Sequence, residues 1–403
     1  MMQLARRMER LGTETAFAVS AEANELAARG LKIYPFHLGD MNLPTPSPVV
    51  EGTIKALRDG KTGYCPNAGI PQLREALAED INASRQTGYG AENVSIQPGG
   101  KPIIGKFIQA FMNPGDEVLY PNPGYPIYES QIDFYGGVGL PYGFLEQEGG
   151  FRIDLDRIER SIGPKTRLLI LNDLQNPTGS ACTRQELERL AGLAEAHNLL
   201  VLCDEAYFDI RYSGEPLSLA SLPGMDSRCI LLYTFSKKFA MTGWRLGAAI
   251  GPQKAIEAIT KLNVNAESCS NHFVQYGALA GLQGPQDEVQ RNLEALRRRR
   301  DLAVRLLNDI QGVECLKPEG TFYLYPNVTS LLERLNLGYQ AFRNRLPRET
   351  AVSVCPRLPF GRQHPGEQSR SLRLAYAGIR AGEIEEGLEA LRAFLEKQDT
   401  ERA

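Results

Sequence analysis

Two kinds of apolar pattern alternate along the chain. Short segments at 94–97, 117–120, 167–171, 199–203 and 230–232 read as strands, and the last three are continuous apolar runs, as in strands covered on both faces. Around them the pattern predicts helices over 71–82, with Pro71 in the first turn, and over 102–112. Another helix follows Thr183, where Glu186 three residues on completes a capping-box signature. Strands alternating with helices in this way predict a parallel, doubly wound α/β sheet.

Past residue 284 the rhythm changes. A long helix is expected over 285–310, strands over 320–325 and 372–377, and a closing helix over 381–397, together a smaller α+β unit. At the other end Leu4, Met8, Leu11, Ala21 and Leu26 sit at roughly helical spacing, interrupted near Gly12 and Thr13, and predict a helical arm or outer helix within residues 1–30. The arginine run 297–300 samples every face of its helix between Glu294 and Asp301, so a mostly solvated surface is expected there.

Composition narrows the picture. The 403 residues suffice for two domains or one large α/β unit with a self-sufficient core. A net charge of −3 lacks the basic excess of nucleic-acid proteins. No apolar run approaches the ~18–20 residues that span a bilayer, and residues 1–30 lack the apolar core of a signal peptide. The seven cysteines, at 65, 182, 203, 229, 269, 315 and 355, show no metal spacing and read as small core residues in a reducing compartment. His37, His197, His272 and His364 fall in no metal or triad motif, and each is expected to be structural or on the surface. The expectation is a cytoplasmic protein with no metal site, no membrane attachment and no nucleic-acid partner.

Candidate chemistry gathers where the runs end. Run 167–171 leads to Asn176, run 199–203 to Asp204 and Tyr207, and run 230–232 to Thr234, Ser236, Lys237 and Lys238. Ligands of open α/β sheets bind beyond the carboxyl ends of the strands, so Asn176, Asp204, Tyr207 and Lys237 are expected in one crevice. A lysine drawn from water beside cations gives up its proton more easily and becomes a nucleophile; Arg245 and Lys238 are placed in sequence to supply that field. Arginine adds a rigid fork of donors for phosphate oxygens. Upstream, Pro98-Gly99-Gly100-Lys101 opens a helix after run 94–97, and the N–H groups of a glycine-rich helix start make an anion cradle.

The string from Tyr233 to Gly247 resembles the lysine signature of the class I/II aminotransferases, fold-type I enzymes that hold pyridoxal 5′-phosphate (PLP) as a Schiff base. The likeness runs from Gly39 to the last helix, with the motifs in order. It implies the PLP-dependent transferase fold, with residues 1–44 as an N-terminal arm and part of a small domain, 45–285 as the large cofactor domain and 286–403 as the small domain. Lys237 is implied as the cofactor lysine, chosen over Lys238 because it directly follows the serine. Thr234, Arg245 and the Gly100-Lys101 backbone are implied at the phosphate, Tyr125 on the pyridine face, Asp204 at the pyridine nitrogen, and Tyr207 and Asn176 at the phenolic oxygen. Gly39, Asn176 and Arg373 are implied on the substrate side, where Arg373 grips the α-carboxylate. Tyr64 is implied to reach the cofactor phosphate of a neighbouring subunit, and with it a homodimer with shared active sites. One departure is Arg357, which stands where the pattern has glycine after Pro356.

The implied reaction passes an amino group from an L-amino acid to a 2-oxo acid by a ping-pong path, with the freed Lys237 amine moving the Cα proton. In one branch of bacterial aspartate aminotransferases a lysine matching Lys101 pairs with the distal carboxylate. Aspartate and glutamate are therefore favoured, with 2-oxoglutarate or oxaloacetate as acceptor. A PLP-dependent β-C–S lyase, or an aminotransferase for a non-acidic amino acid, shares these motifs. Acyl-transferring synthases tend to carry histidine where this chain has Tyr125, and a PLP-sensing regulator would need a DNA-binding module that residues 1–30 are too few to form.

Overall fold

The structure, a computed structural model, describes residues 2–12, 16–147, 149–363, 367 and 370–400. Its main sheet has seven strands: β1 (Val94–Gln97), β2 (Glu117–Pro121), β3 (Val138–Tyr142), β4 (Thr166–Asn172), β5 (Leu200–Asp204), β6 (Cys229–Thr234) and β7 (Gly247–Ile250). Their spatial order is β1-β7-β6-β5-β4-β2-β3. β7 alone runs against its neighbours, antiparallel to both β1 and β6, and the others are parallel.

The unbroken apolar runs have a direct structural cause. Leu169 and Leu171 of β4, Val201 and Cys203 of β5, and Leu231 and Tyr233 of β6 enter one core on one face of the sheet. The residues between them, Leu168, Ile170, Leu202, Ile230 and Leu232, enter a second core on the opposite face. Burying each such leucine or isoleucine contributes about 1.5–3 kcal/mol, so both pleat faces are held and a register slip by one residue gains nothing. Register then aligns the strand exits. Asn172 pairs with Asp204, Asp204 with Leu232, and Thr234 with Gly247, which brings the polar ends of β4, β5 and β6 to one edge.

Helices α1 (Pro71–Arg85), α2 (Lys101–Phe111) and α3 (Arg184–Ala196) cover this sheet. The box at the start of α3 forms as its sequence predicts: Glu186 N donates to Thr183 Oγ1 at 3.2 Å and Thr183 N to Glu186 Oε2 at 2.7 Å. The smaller lobe holds β8 (Tyr323–Leu324), β9 (Cys355–Pro356) and β10 (Leu372–Ala375), an antiparallel sheet ordered β8-β10-β9, with α4 (Asp287–Asn308) packed against α5 (Ala381–Thr400). A third core lies here and extends through Tyr207 and Leu174 toward the main sheet.

Several elements differ from expectation. Only Tyr323–Leu324 of the run 320–325 joins the small sheet, because Thr321 takes φ +64° and turns the chain. The arm is a 3-10 turn, Arg6–Arg10, and a separate helix, Ala16–Ala28, and Leu4, Met8 and Leu11 are exposed rather than packed; Thr13, where the interruption was placed, lies outside the described residues. Within the arginine run only Arg297 and Arg298 are solvated. Arg299 is buried and donates to Asn42 Oδ1 and Ala377 O, and Arg300 is buried, donates to Pro318 O and lies 4.4 Å from the Tyr212 ring centroid. Periodicity counts faces, and it is tertiary packing that decides which of them meet solvent. The expectation of core cysteines holds for Cys203, Cys229, Cys315 and Cys355, whereas Cys65, Cys182 and Cys269 are partly exposed; all seven are free thiols. His364 lies outside the described residues. No described helix is long and apolar enough to cross a membrane.

Candidate active site

The exits of β4, β5 and β6 open into a cavity of about 660 Å³ between the two lobes. Gly39, Gly100, Lys101, Tyr125, Asn176, Asp204, Tyr207, Thr234, Lys237, Arg245 and Arg373 all line it, which brings together every sequence-predicted site residue except one. Tyr64 is the exception: its side chain is 88 % exposed and lies outside the cavity.

The two lysines of the signature part company. Thr234 caps the single turn Phe235–Lys238, accepting from Ser236 N at 3.2 Å, and the turn sends Lys237 into the cavity. Lys237 Nζ donates to Gly39 O at 3.3 Å and lies 5.0 Å from the Phe322 ring centroid. Lys238 points the other way, into ion pairs with Asp80 at 3.0 Å and Asp209 at 3.4 Å. Its charge is thereby neutralised, so the expectation that Lys238 helps to depress the proton affinity of Lys237 is replaced by a structural role. Lys238 shares Asp209 with Arg85, which lies 3.6 Å from it, and the buried Arg85 also pairs at 3.0 Å with Glu205, the neighbour of Asp204.

Asp204 is buried, and its carboxylate accepts from Tyr128 Oη at 2.6 Å and from Ala206 N at 3.2 Å. Burial holds its acid up at about 6 from the ordinary 3.8, against the pull of the Tyr128 and Ala206 hydrogen bonds. No cation is among those partners. A carboxylate so placed is suited to a cationic ring nitrogen, which would supply the missing charge.

At the end of the cavity nearest β1, α2 starts at Lys101 and turns its N-terminus to the cavity. The preceding Gly99 has φ +100°, and a Cβ there would overlap Nη2 of Arg245, so only glycine lets the guanidinium reach the helix start. Arg245 itself adopts φ 56° and donates Nη1 to Thr242 O at 2.8 Å. Helix N-terminus, guanidinium and Thr234 hydroxyl face one space, a cradle whose donor chemistry fits a phosphate.

On the small-lobe side, Arg373 is buried. It donates Nη1 to Asn176 Oδ1 at 3.2 Å and Nη2 to His37 O at 2.6 Å, and its guanidinium lies between the rings of Tyr323, at 4.6 Å, and Phe360, at 4.9 Å. His37 is structural as expected, with its imidazole pushed down to about 4 by burial and by Arg373. Tyr207 shares a hydrogen bond of 2.8 Å with Tyr323, and burial raises its phenol well above the usual range. A Cβ on Gly39 would meet the Tyr323 hydroxyl, which explains the glycine at that position.

Sequence reasoning missed Tyr128, Asn172 and Tyr323. Asn172 donates to Asp204 O at 3.0 Å and accepts from Asn176 N at 3.0 Å, bridging two strand exits. The signal for Tyr128 was a second tyrosine three residues after Tyr125, whose ring it meets edge-on at 5.8 Å; Tyr323 gave no signal apart from its aromatic neighbours. Among the described residues no cluster of His, Cys, Asp and Glu suits a metal ion.

Comparison with known proteins gives a concordant result. A sequence profile described as Aminotransferase class I and II matches residues 33–391. The probable aspartate/prephenate aminotransferase of Aquifex aeolicus is 34 % identical over 98 % of this chain and 99 % of its own length. The aspartate aminotransferase of Bacillus subtilis is 30 % identical over 98 % of this chain and 100 % of its own. Among solved structures, the Thermus thermophilus aspartate aminotransferase with maleate superposes with a TM-score of 0.89 at 32 % identity, covering 98 % of this chain and 100 % of that one.

Proposed function

The chain belongs to the class I and II aminotransferases, which use pyridoxal 5′-phosphate to pass an amino group between an amino acid and a 2-oxo acid, and we propose that aspartate and glutamate are its preferred amino acids, with 2-oxoglutarate or oxaloacetate as acceptor. The observation that carries the substrate assignment is the charge of the cavity wall. Among the described residues, Lys101, Lys237, Arg245 and Arg373 face it against only Asp40 and Asp204. With Arg245 assigned to phosphate and Lys237 to the cofactor, Arg373 and Lys101 stand as two cations for the two carboxylates of one substrate.

The bound cofactor supplies an electron sink that acidifies the substrate Cα–H. The rest is the work of this chain. Gly100 and Lys101 N–H groups, Thr234 and Arg245 would hold the phosphate; Tyr125 would pack on the ring face; Asn176 and Tyr207 would orient the ring oxygen; Asp204 would keep the ring nitrogen protonated. Arg373, aimed by Asn176, His37 and the two rings around it, binds the α-carboxylate, with the Gly39 backbone beside it. Lys237 would hold the cofactor, and its free amine would take the proton from the substrate Cα. The amino group stays with the enzyme after the first 2-oxo acid leaves and before the second binds, so a ping-pong rate law is expected.

Lys101→Ala tests the substrate. A charge-assisted pair formed with bound substrate contributes ~1.5–3 kcal/mol, so kcat/KM for aspartate should fall roughly tenfold to a hundredfold while that for alanine changes little. An equal loss for both would reduce Lys101 to a cofactor contact.

The working unit in this reading is a homodimer in the cytoplasm, a compartment in keeping with seven free thiols. The exposed ring of Tyr64 is assigned to the partner's phosphate site. Mixing Tyr64→Phe subunits with Lys237→Ala subunits should restore activity, because one site of each hybrid carries neither defect. Hybrids shown to form without recovery would place both residues in the same subunit's site.

A further inference from the structure

Arg357 departs from the glycine of the resembling pattern, and its side chain is fully buried between the lobes. Its guanidinium is shared among three segments. Nε and Nη2 form a fork on Glu367 at 2.7 and 2.9 Å, Nη1 donates to Gly361 O at 2.9 Å, and Nη2 also donates to Asn122 Oδ1 at 2.8 Å. Asn122 lies just past β2, in the loop that carries Tyr125. The other contacts between these loops are consistent with a built joint: Asn122 Nδ2 donates to Arg362 O at 2.7 Å and Gly124 N to Phe360 O at 2.8 Å. A Cβ at Gly361, where φ is +112°, would sit 2.8 Å from Asn122 Oδ1, so glycine is what admits the amide.

Phe360, between Arg357 and Gly361 in the chain, is one of the two rings that cover Arg373. We propose that Arg357 is a positioning residue: it ties the Phe360 loop to the Tyr125 loop, so that the carboxylate-binding and cofactor-face groups are assembled before substrate arrives. Desolvating a guanidinium is costly unless its donors are satisfied, and here they are satisfied by groups from both lobes, which makes separation of the loops the costly event. Binding energy that would otherwise close the site is then available to hold substrate, so the arginine acts on affinity more than on turnover. The inference rests on the assignment of Arg373 to the substrate carboxylate.

The test compares holoenzymes of the wild type, Arg357→Ala, Arg357→Lys and Asn122→Ala. Hydrogen exchange of peptides spanning residues 121–126 is read without substrate, and KM and kcat are read with aspartate. Arg357→Ala should speed exchange of the Gly124 amide and raise KM roughly tenfold or more, the scale of a lost charge-assisted bond, with a smaller fall in kcat. Arg357→Lys should lie between, because an ammonium cannot fork. Should Arg357→Ala fail to fold, Asn122→Ala removes the inter-lobe acceptor and leaves the Glu367 pair, with the same expected signature. Wild-type exchange at 121–126, or a kcat loss with unchanged KM, overturns the proposal. A different amino-acid preference would appear in the wild-type constants and leave the exchange result standing, so the two readings fail separately.

Discussion

Lys237→Ala should yield a folded protein with transamination reduced by at least the ~10²–10⁴-fold that a positioned general base contributes, and with no covalently held cofactor. Lys237 is the signature lysine that lines the cavity, with its amine 3.3 Å from Gly39 O and close to the Phe322 and Tyr207 rings. Borohydride treatment of the wild type followed by peptide mapping should mark Lys237, and the alanine variant should show no mark. Lys238→Ala makes the contrast. That substitution leaves Asp80 and Asp209 without their shared cation, so it should lower the melting temperature while the borohydride mark on Lys237 persists. A mark on Lys238, or a Lys237→Ala variant that retains most activity, would sink the assignment.

What the sequence revealed and what it withheld have separate physical origins. Strands β4, β5 and β6 were readable because both their faces are buried, and such strands write themselves as continuous apolar runs. Their exits were readable because a parallel sheet collects them at one edge. Strand β7 was not: Gly247-Ala248-Ala249-Ile250 is short and small, since Gly247 must admit the Gly99-Gly100 turn, whose backbone would lie 2.8 Å from an added Cβ. Partners set by tertiary contact were equally silent. Nothing in the order Lys237-Lys238 tells which amine meets Asp80, nor does the run 297–300 tell which arginines are buried. Arg357 is intermediate, visible as a departure from a pattern, with its joint to Asn122 visible only in space.

Asp204→Asn should give two opposite results, depending on whether the cofactor is bound. In the cofactor-free protein burial raises the Asp204 acid to about 6 from 3.8, so folding favours its neutral form. The stabilisation is fully present below pH ~4 and is lost as pH rises through about 6, an effect of about 3 kcal/mol for a shift of that size. Asparagine is neutral throughout, and the Tyr128 hydroxyl can turn to accept from its amide while Ala206 N still donates to its oxygen. The cofactor-free variant should therefore melt above the wild type at pH 7.5, with the difference closing toward pH 4. Asp173 is likewise held up at about 6, by burial against the opposing Arg211, but it is common to both proteins and cancels in the comparison. With the cofactor bound the variant should be the poorer protein in activity: in the role proposed for Asp204 the wild-type carboxylate would face a cationic ring nitrogen, whereas the amide offers no charge, and kcat should fall by about 10²–10³, the scale of losing one preorganised electrostatic contact. Scanning calorimetry of both forms from pH 4 to 8 reads the first result and steady-state rates the second. A variant that melts below the wild type at pH 7.5 without cofactor, yet keeps its activity with it, would show that Asp204 is held charged by something other than the cofactor.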